Sequence, residues 1–263
     1  MADFMPNKIQ TAHIMQMKNV EKSFGAKKVL DGVTCTIKKG SVTCLCGPSG
    51  CGKTTIMNIL AGFIMPDSGD CIFDGAPVTG PGVERQVVFQ ETTLFNWMSL
   101  RDNVMYGPVV QKKDFNKAKK KAQELIELSG LSGFENKYPG QLSGGMQRRA
   151  ELIRVIINEP KILLMDEPFR GLDAMTRISM QEYFMDVVQS SDTTTLLITS
   201  ELEEAILLGD EIYFLKTIPT KVKQKLSVNL PRPRTLEHQT DREFGKLLDK
   251  SYEIMEEEIK SMF

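Results

Sequence analysis

The stretch Gly47-Pro48-Ser49-Gly50-Cys51-Gly52-Lys53-Thr54 constrains this chain more than any other. It fits the pattern G-x-x-x-x-G-K-[ST]. A bare match of this kind arises by chance, and a glycine-rich β–α turn is the bland alternative. The surroundings favour the sharper reading. Val42 to Cys46 is a short strand-like run, and Thr54 to Gly62 places Ile56, Ile59 and Leu60 on one helical face before a closing glycine. A strand, a glycine-rich loop and a helix in that order let backbone N–H groups close around phosphates at the positive end of a helix. Lys53 is then expected at the outer phosphates of a nucleotide and the Thr54 hydroxyl at Mg²⁺, with Thr55 grouped among the loop's candidate contacts.

A chain of 263 residues fits one large domain, or a domain with an appended subdomain. With 41% apolar and 25% charged residues it has globular composition, which excludes a disordered chain. The net charge of −1 supplies no global field for nucleic acid. No apolar run reaches the roughly eighteen residues of a membrane-spanning helix, and the N-terminal twenty lack a basic-then-apolar leader. A cytoplasmic protein is expected, meeting a membrane only through a partner. Cys35, Cys44, Cys46, Cys51 and Cys71 are an odd set crowded into the first third, which reads as reduced thiols rather than a disulfide framework. Cys44 and Cys46 share one strand face with no second pair or nearby His, a poor zinc spacing. Cys51, beside Lys53 and a helix N-terminus, is expected to have a lowered pKa and to react readily, with protection by bound nucleotide.

Further strand-like runs lie at Val29–Ile37, Gly69–Phe73 and Gln86–Phe89. From about Leu100 the period turns helical. Asp114 to Leu128 carries Phe115, Ala118, Ala122, Leu125 and Leu128 as its apolar positions, and its lysines read as a solvated face. A Ser143-Gly144-Gly145 turn precedes a helix reaching Asn158. Ile162 to Met165 is wholly apolar, as a strand covered on both faces must be. Helix and strand then alternate through Thr176–Val188, Thr194–Thr199, Leu202–Leu207 and Glu211–Leu215, which predicts an α/β fold with a parallel sheet interrupted by a helical insert. Residues 216–235 are basic and acid-free. After Thr240, Phe244, Leu247, Leu248, Met255, Ile259 and Met262 mark an amphipathic terminal helix.

The apolar run ending in Asp166-Glu167 brings two carboxylates to the sheet edge that carries the glycine loop. Asp166 is expected to hold Mg²⁺ through its water shell and Glu167 to polarise the attacking water. Upstream stands Leu142-Ser143-Gly144-Gly145-Met146-Gln147-Arg148-Arg149. With Gln90 and Gly171-Leu172-Asp173, the whole set resembles an ATP-binding-cassette ATPase over nearly the full chain. That resemblance implies a P-loop ATPase core with a parallel sheet, an N-terminal antiparallel β-subdomain and a helical insert bearing the signature. The expected divisions are 1–90 (β-subdomain and P-loop), 91–160 (insert), 161–215 (rest of the core) and 216–263 (extension). It implies ATP and Mg²⁺ as ligands, Phe24 stacked on adenine, and Gln90 linking Mg²⁺ and water to a transporter partner. It also implies that Ser143, Gly144 and Gly145 touch the γ-phosphate held by an opposite subunit, with Asp173 coupling the two sites.

Gln90-Glu91, Leu94-Phe95-Asn96-Trp97, Asp102-Asn103-Val104, Asp166-Glu167-Pro168-Phe169 and Leu230-Pro231-Arg232-Pro233-Arg234 are similar to importers of the nitrate, sulfonate and taurine type. Trp97 also reads as an ordinary packed anchor. The implied role is the ATP-hydrolysing subunit of a membrane importer. It would dimerise with a second copy or a homologue under permease subunits, peripheral on the inner membrane face, and serve an extracytoplasmic solute-binding protein without nucleic acid. Departures leave an alternative open. Ser200 stands where the family has a switch histidine, Glu151 where it has a small residue, Asn96 in place of a proline, and Arg170-Gly171 in place of a small pair. Serine can donate a hydrogen bond but carries no positive charge. A catalytically weak nucleotide-binding clamp beside a more active partner is the second reading.

Overall fold

The computed structural model describes residues 13–191 and 193–260. Residues 1–12, and Met262 of the terminal-helix reading, lie outside the described residues. In chain order the elements are β1 (His13–Phe24), β2 (Lys27–Lys38), β3 (Val42–Cys46), α1 (Lys53–Ala61), β4 (Ser68–Phe73), β5 (Ala76–Pro77) and β6 (Arg85–Val88). Then come α2 (Leu100–Val110), α3 (Phe115–Leu128), α4 (Gly144–Ile156), β7 (Ile162–Asp166), α5 (Ala174–Ser191), β8 (Thr194–Thr199), α6 (Leu202–Leu208), β9 (Glu211–Leu215), β10 (Val222–Ser227) and α7 (Arg242–Lys260).

Two sheets organise the chain. A four-stranded antiparallel sheet runs β2-β1-β4-β5, and a six-stranded sheet runs β10-β9-β3-β8-β7-β6. In the second sheet every pair from β9 to β6 is parallel and β10 closes the edge antiparallel. Registers leave the strand ends nearly flush: Cys46 faces Thr199 and Phe214, Asp166 faces Ile198, and Val88 faces Met165. The glycine loop, Asp166-Glu167, Ser200 and the Phe89–Gln90 turn therefore leave one carboxyl edge of one sheet. That edge is where open α/β sheets bind ligands.

Strand alternation divides the core. On one face, Ile162, Leu164, Leu196 and Ile198 pack with Ile56, Met57 and Leu60 of α1 and with Met15, Met17 and Leu30 of the antiparallel sheet. On the other, Cys44, Cys46, Leu163, Met165 and Leu197 meet Met180 and Phe184 of α5, Ala205 and Ile206 of α6, and Phe244 of α7. A third cluster holds α2, α3 and α4 together through Leu100, Val104, Ala118, Ala122, Ile126, Ala150 and Ile153. In α3 the buried stripe is Ala118, Ala122 and Ile126, whereas Phe115 and Leu128 face solvent, contrary to the sequence reading. The Thr194–Thr199 and Glu211–Leu215 strands stand where the pattern puts them. β1 and β10 were not expected. β10 occupies part of the basic 216–235 stretch and pairs with β9 as an exposed edge.

Candidate functional site at the carboxyl edge of the parallel sheet

Glycine is required in the loop for two reasons. Gly50 has φ +77 in open space, a left-handed conformation that L side chains rarely adopt. At Gly52, with φ +93, an added Cβ would sit 2.7 Å from the Thr220 hydroxyl and 3.2 Å from a Val29 methyl. Gly52 is also the residue from which α1 starts, so the loop delivers Lys53 and Thr54 to the first turn of that helix. Lys53 is buried. Its ammonium donates to Gly47 O at 2.8 Å and Pro48 O at 3.0 Å, and lies 3.4 Å from Glu167 Oε1. The Thr54 hydroxyl donates to Asp166 Oδ2 at 2.8 Å. Burial raises the Asp166 pKa, the Thr54 hydrogen bond opposing it and the neighbouring Glu167 charge adding to it.

Glu167 leaves β7 with φ +43, its N–H donating to Ile198 O at 2.9 Å. Its second oxygen accepts from Arg170 Nη1 at 2.5 Å. These groups line a cavity of about 480 Å³ with Phe24, Lys27, Val29, Ser49, Gly50, Gly52, Thr55, Gln90 and Ile218. Phe24 is half exposed at the end of β1 and offers an aromatic face at the rim. A hydroxyl and a carboxylate in contact, with an exposed amide from Gln90 on the same cavity wall, form an all-oxygen donor set that fits Mg²⁺. Thr54, Asp166 and Gln90 are the residues able to hold that ion, and it would screen phosphate charge there.

Ser200 is exposed just past β8, on the wall of a small cavity of about 40 Å³ shared with Glu167, Phe169, Arg170, Arg177, Thr199, Glu201 and Glu204. Ser143, Gly144, Gly145 and Asp173 do not line the loop's cavity. Ser143 caps α4 by accepting from Met146 N at 3.3 Å, and Asp173 accepts from Thr176 N at 3.0 Å. Cys51 corrects the sequence reading. Its side chain turns into the core, 2% exposed, and burial pushes the thiol's pKa up against the opposing pull of Lys53. Its N–H closes a turn onto Pro48 O at 3.2 Å, so it shapes the loop instead of presenting a reactive sulfur. All five cysteines are free and buried.

Sequence reasoning missed the grip of α4 on the Gln90 segment. Glu151 is fully buried and accepts from Thr93 N at 3.0 Å, Thr93 Oγ1 at 2.7 Å and Arg148 Nη1 at 2.6 Å. Arg148 also donates to Phe89 O at 2.7 Å and to Gln90 O, and Arg154 donates to Thr93 O at 2.7 Å. The only sequence signal was the oddity of an acid at position 151. Asn103, likewise buried, donates to Phe95 O, Met98 O and Ser99 O, each at 3.1 Å, and fixes the turn that leaves Trp97 72% exposed. Trp97 is therefore no packed core anchor. Its ring lies against that of Phe95, tilted by 36° with centroids 5.3 Å apart.

Comparison with known proteins decides the family. A family model described as "ABC transporter" matches residues 30–170, spanning the glycine loop, the signature and Asp166-Glu167. The chain belongs to the ABC transporter family. It is the ATP-binding and ATP-hydrolysing subunit of such a transporter. The taurine import ATP-binding protein TauB of Pelagibacter ubique is 45% identical over 202 residues, covering 77% of this chain and 76% of that one. The bicarbonate transport ATP-binding protein CmpC of Synechococcus elongatus is 39% identical over 226 residues, 83% of this chain but 34% of its own length. Among solved structures, an ATP-binding cassette in a dimeric post-hydrolysis state bound to ADP and Pi superposes with TM-score 0.70. It is 26% identical and covers 82% of this chain and 100% of that one. Among the described residues no helix is long and apolar enough to cross a membrane.

Proposed function

We propose that this chain energises an importer for a small solute of the nitrate, sulfonate or taurine class, with Mg²⁺ at Thr54, Asp166 and Gln90. The solute class rests on the likeness to the taurine import protein. The observation that carries the chemistry is the convergence of Lys53, Thr54, Asp166 and Glu167 at one strand edge, within hydrogen-bonding or ion-pairing reach of one another. Gly47 through Thr55 hold the phosphates, Phe24 stacks on the base, and Glu167 takes a proton from the attacking water. Ser143, Gly144 and Gly145 reach the outer phosphate bound by a second subunit, and Asp173 couples the two sites. Residues 91–160 act as the insert between the core segments 1–90 and 161–215, with 216–263 as the extension. In this reading the subunit sits on the inner face of the membrane beneath permease subunits, fed by an extracytoplasmic binding protein.

Two substitutions test it. Lys53→Ala removes the charge opposite the phosphates, so ATP binding weakens and hydrolysis is lost. Glu167→Gln keeps shape but not the proton acceptor, so it holds ATP and accumulates as a dimer. Size-exclusion chromatography with Mg-ATP reads the result, and a Glu167→Gln chain that never leaves the monomer position defeats the sandwich. The relatives favour the hydrolysing subunit over the weakly catalytic clamp, so the neutral Ser200 at the site wall bears on the rate of turnover.

A further inference from the structure

We propose that Arg170 is a positioning residue for hydrolysis, holding the Glu167 carboxylate at the orientation in which it meets water. This rests on the assignment of Glu167 as the water-polarising group. Both Glu167 oxygens are held by cations: Oε1 lies 3.4 Å from Lys53 Nζ and Oε2 accepts from Arg170 Nη1 at 2.5 Å. The two holds differ in kind. Lys53 is shared with the loop carbonyls Gly47 O and Pro48 O, in the place where phosphates are read, so its grip on Oε1 is the one that phosphate competes for. Arg170 has Glu167 as its side-chain hydrogen-bond partner among the described residues and donates to neither loop carbonyl, so its grip on Oε2 does not pass through the phosphate loop. One oxygen is thereby anchored and the other left to turn towards water.

The local backbone supports the same division of labour. Glu167 sits at φ +43, and Arg170 N donates to Glu167 O at 3.1 Å, closing a tight turn that sets the two side chains face to face. Glu167 is nearly buried while Arg170 is half exposed, so the arginine closes the carboxylate against solvent from outside. Arg170 lines the 480 Å³ nucleotide cavity and also the small cavity beside Ser200. On that wall Ser200 contributes no charge, and Arg170 is the cation nearest the base. Arginine suits the task because its planar fork is charged at every working pH and pre-organised for carboxylate.

The test is a set of variants of the full chain. Arg170→Ala should lower kcat by about 10- to 100-fold, the cost of a misplaced catalytic group. The KM for ATP should stay within about two-fold, because an orienting contact acts on turnover rather than on ground-state binding. Arg170→Lys should recover part of the loss, and low concentrations of guanidinium should rescue Arg170→Ala. In the protein without nucleotide, the urea midpoint shifts of Arg170→Ala and Glu167→Gln should fail to add in the double variant, since the pair is in contact. An unchanged or raised kcat in Arg170→Ala overturns the proposal, as does strict additivity in the urea series. Wild-type turnover in Glu167→Gln overturns the assignment of Glu167 itself. A dead Glu167→Gln beside a normal Arg170→Ala overturns the role of Arg170 alone.

Discussion

Replacing Glu151 by alanine should be among the most damaging single changes available in this chain outside the catalytic edge. The carboxylate is fully buried and accepts three hydrogen bonds, two from Thr93 and one from Arg148. Glu151→Ala leaves the Thr93 N–H and hydroxyl without that acceptor and removes the countercharge from a guanidinium only 5% exposed. Breaking a buried ion pair from one side costs about 3–5 kcal/mol. Arg148 keeps Phe89 O and Gln90 O as acceptors, which puts the cost here near the lower limit, about 3 kcal/mol. At about 2–4 °C per kcal/mol for a chain of this size, the melting temperature should fall by about 6–12 °C. Differential scanning calorimetry on the purified chain measures it. Glu151→Gln keeps an acceptor for Thr93 and should lose less. Because Phe89 to Thr93 carries Gln90, ATP turnover should drop in Glu151→Ala at temperatures where it is still folded. A Glu151→Ala protein melting within about 1 °C of wild type, against an expected shift several times larger, would refute the reasoning.

Ser200→His should raise turnover several-fold, since one preorganised donor at a transition state is commonly worth on the order of 100- to 1000-fold. No gain with Glu201 either kept or changed to Asp would show that Ser200 is a tolerated replacement rather than a brake. Cys51 should alkylate slowly at neutral pH in the folded chain and gain rate as pH rises, because burial raises its pKa and the thiolate is the reactive form. Peptide mass spectrometry after labelling checks this, and fast labelling that ATP blocks would contradict it. Gly144→Asp should suppress hydrolysis while monomer affinity for ATP holds, as its Cβ meets nothing within 4 Å in its own chain. Gly145 is the poorer site for that test, since a Cβ there presses to 2.6 Å from a Thr176 methyl of α5; loss of ATP binding by monomeric Gly144→Asp would place the residue in its own subunit's site.

What the sequence made legible were features whose cause is local. Val42–Cys46, Thr194–Thr199 and Glu211–Leu215 are runs covered on both faces, so burial writes them directly as apolar stretches. The glycine loop carries its own conformational demands. β1 escaped because it is long, mixed in polarity and broken by several register shifts against β2, which blurs the two-residue alternation. β10 escaped because an exposed edge strand rich in lysine looks like a linker. In α3, Leu125 and Ile126 are neighbours, and the packing against α2 and α4 buries Ile126 fully and Leu125 only in part. Cys51 failed for a related reason. Proximity in sequence to Lys53 suggested an electropositive thiol, but the turn onto Pro48 O points the sulfur into the core, where desolvation outweighs the lysine. The Arg148–Glu151–Thr93 contacts join segments 58 residues apart, and no periodicity encodes them.

The polar groups at the candidate catalytic edge are already paired within the chain, and this bears on how the proposed site would work. Lys53 spends its donors on two loop carbonyls and faces Glu167, Thr54 donates to Asp166, and Arg170 holds the far oxygen of Glu167. Nucleotide binding is therefore an exchange of partners, and its net gain is the small difference between bonds made and bonds released. The exchange also couples the groups to one another. If Lys53 turns to phosphate as proposed, Glu167 would lose one of its two cations and keep the other, and the carboxylate would be released on one side only. A charge removed from this set is felt twice. Lys53→Ala would take away the proposed phosphate contact and also strand the Gly47 and Pro48 carbonyls beside a Glu167 that is 7% exposed, so the loop itself should loosen along with the affinity.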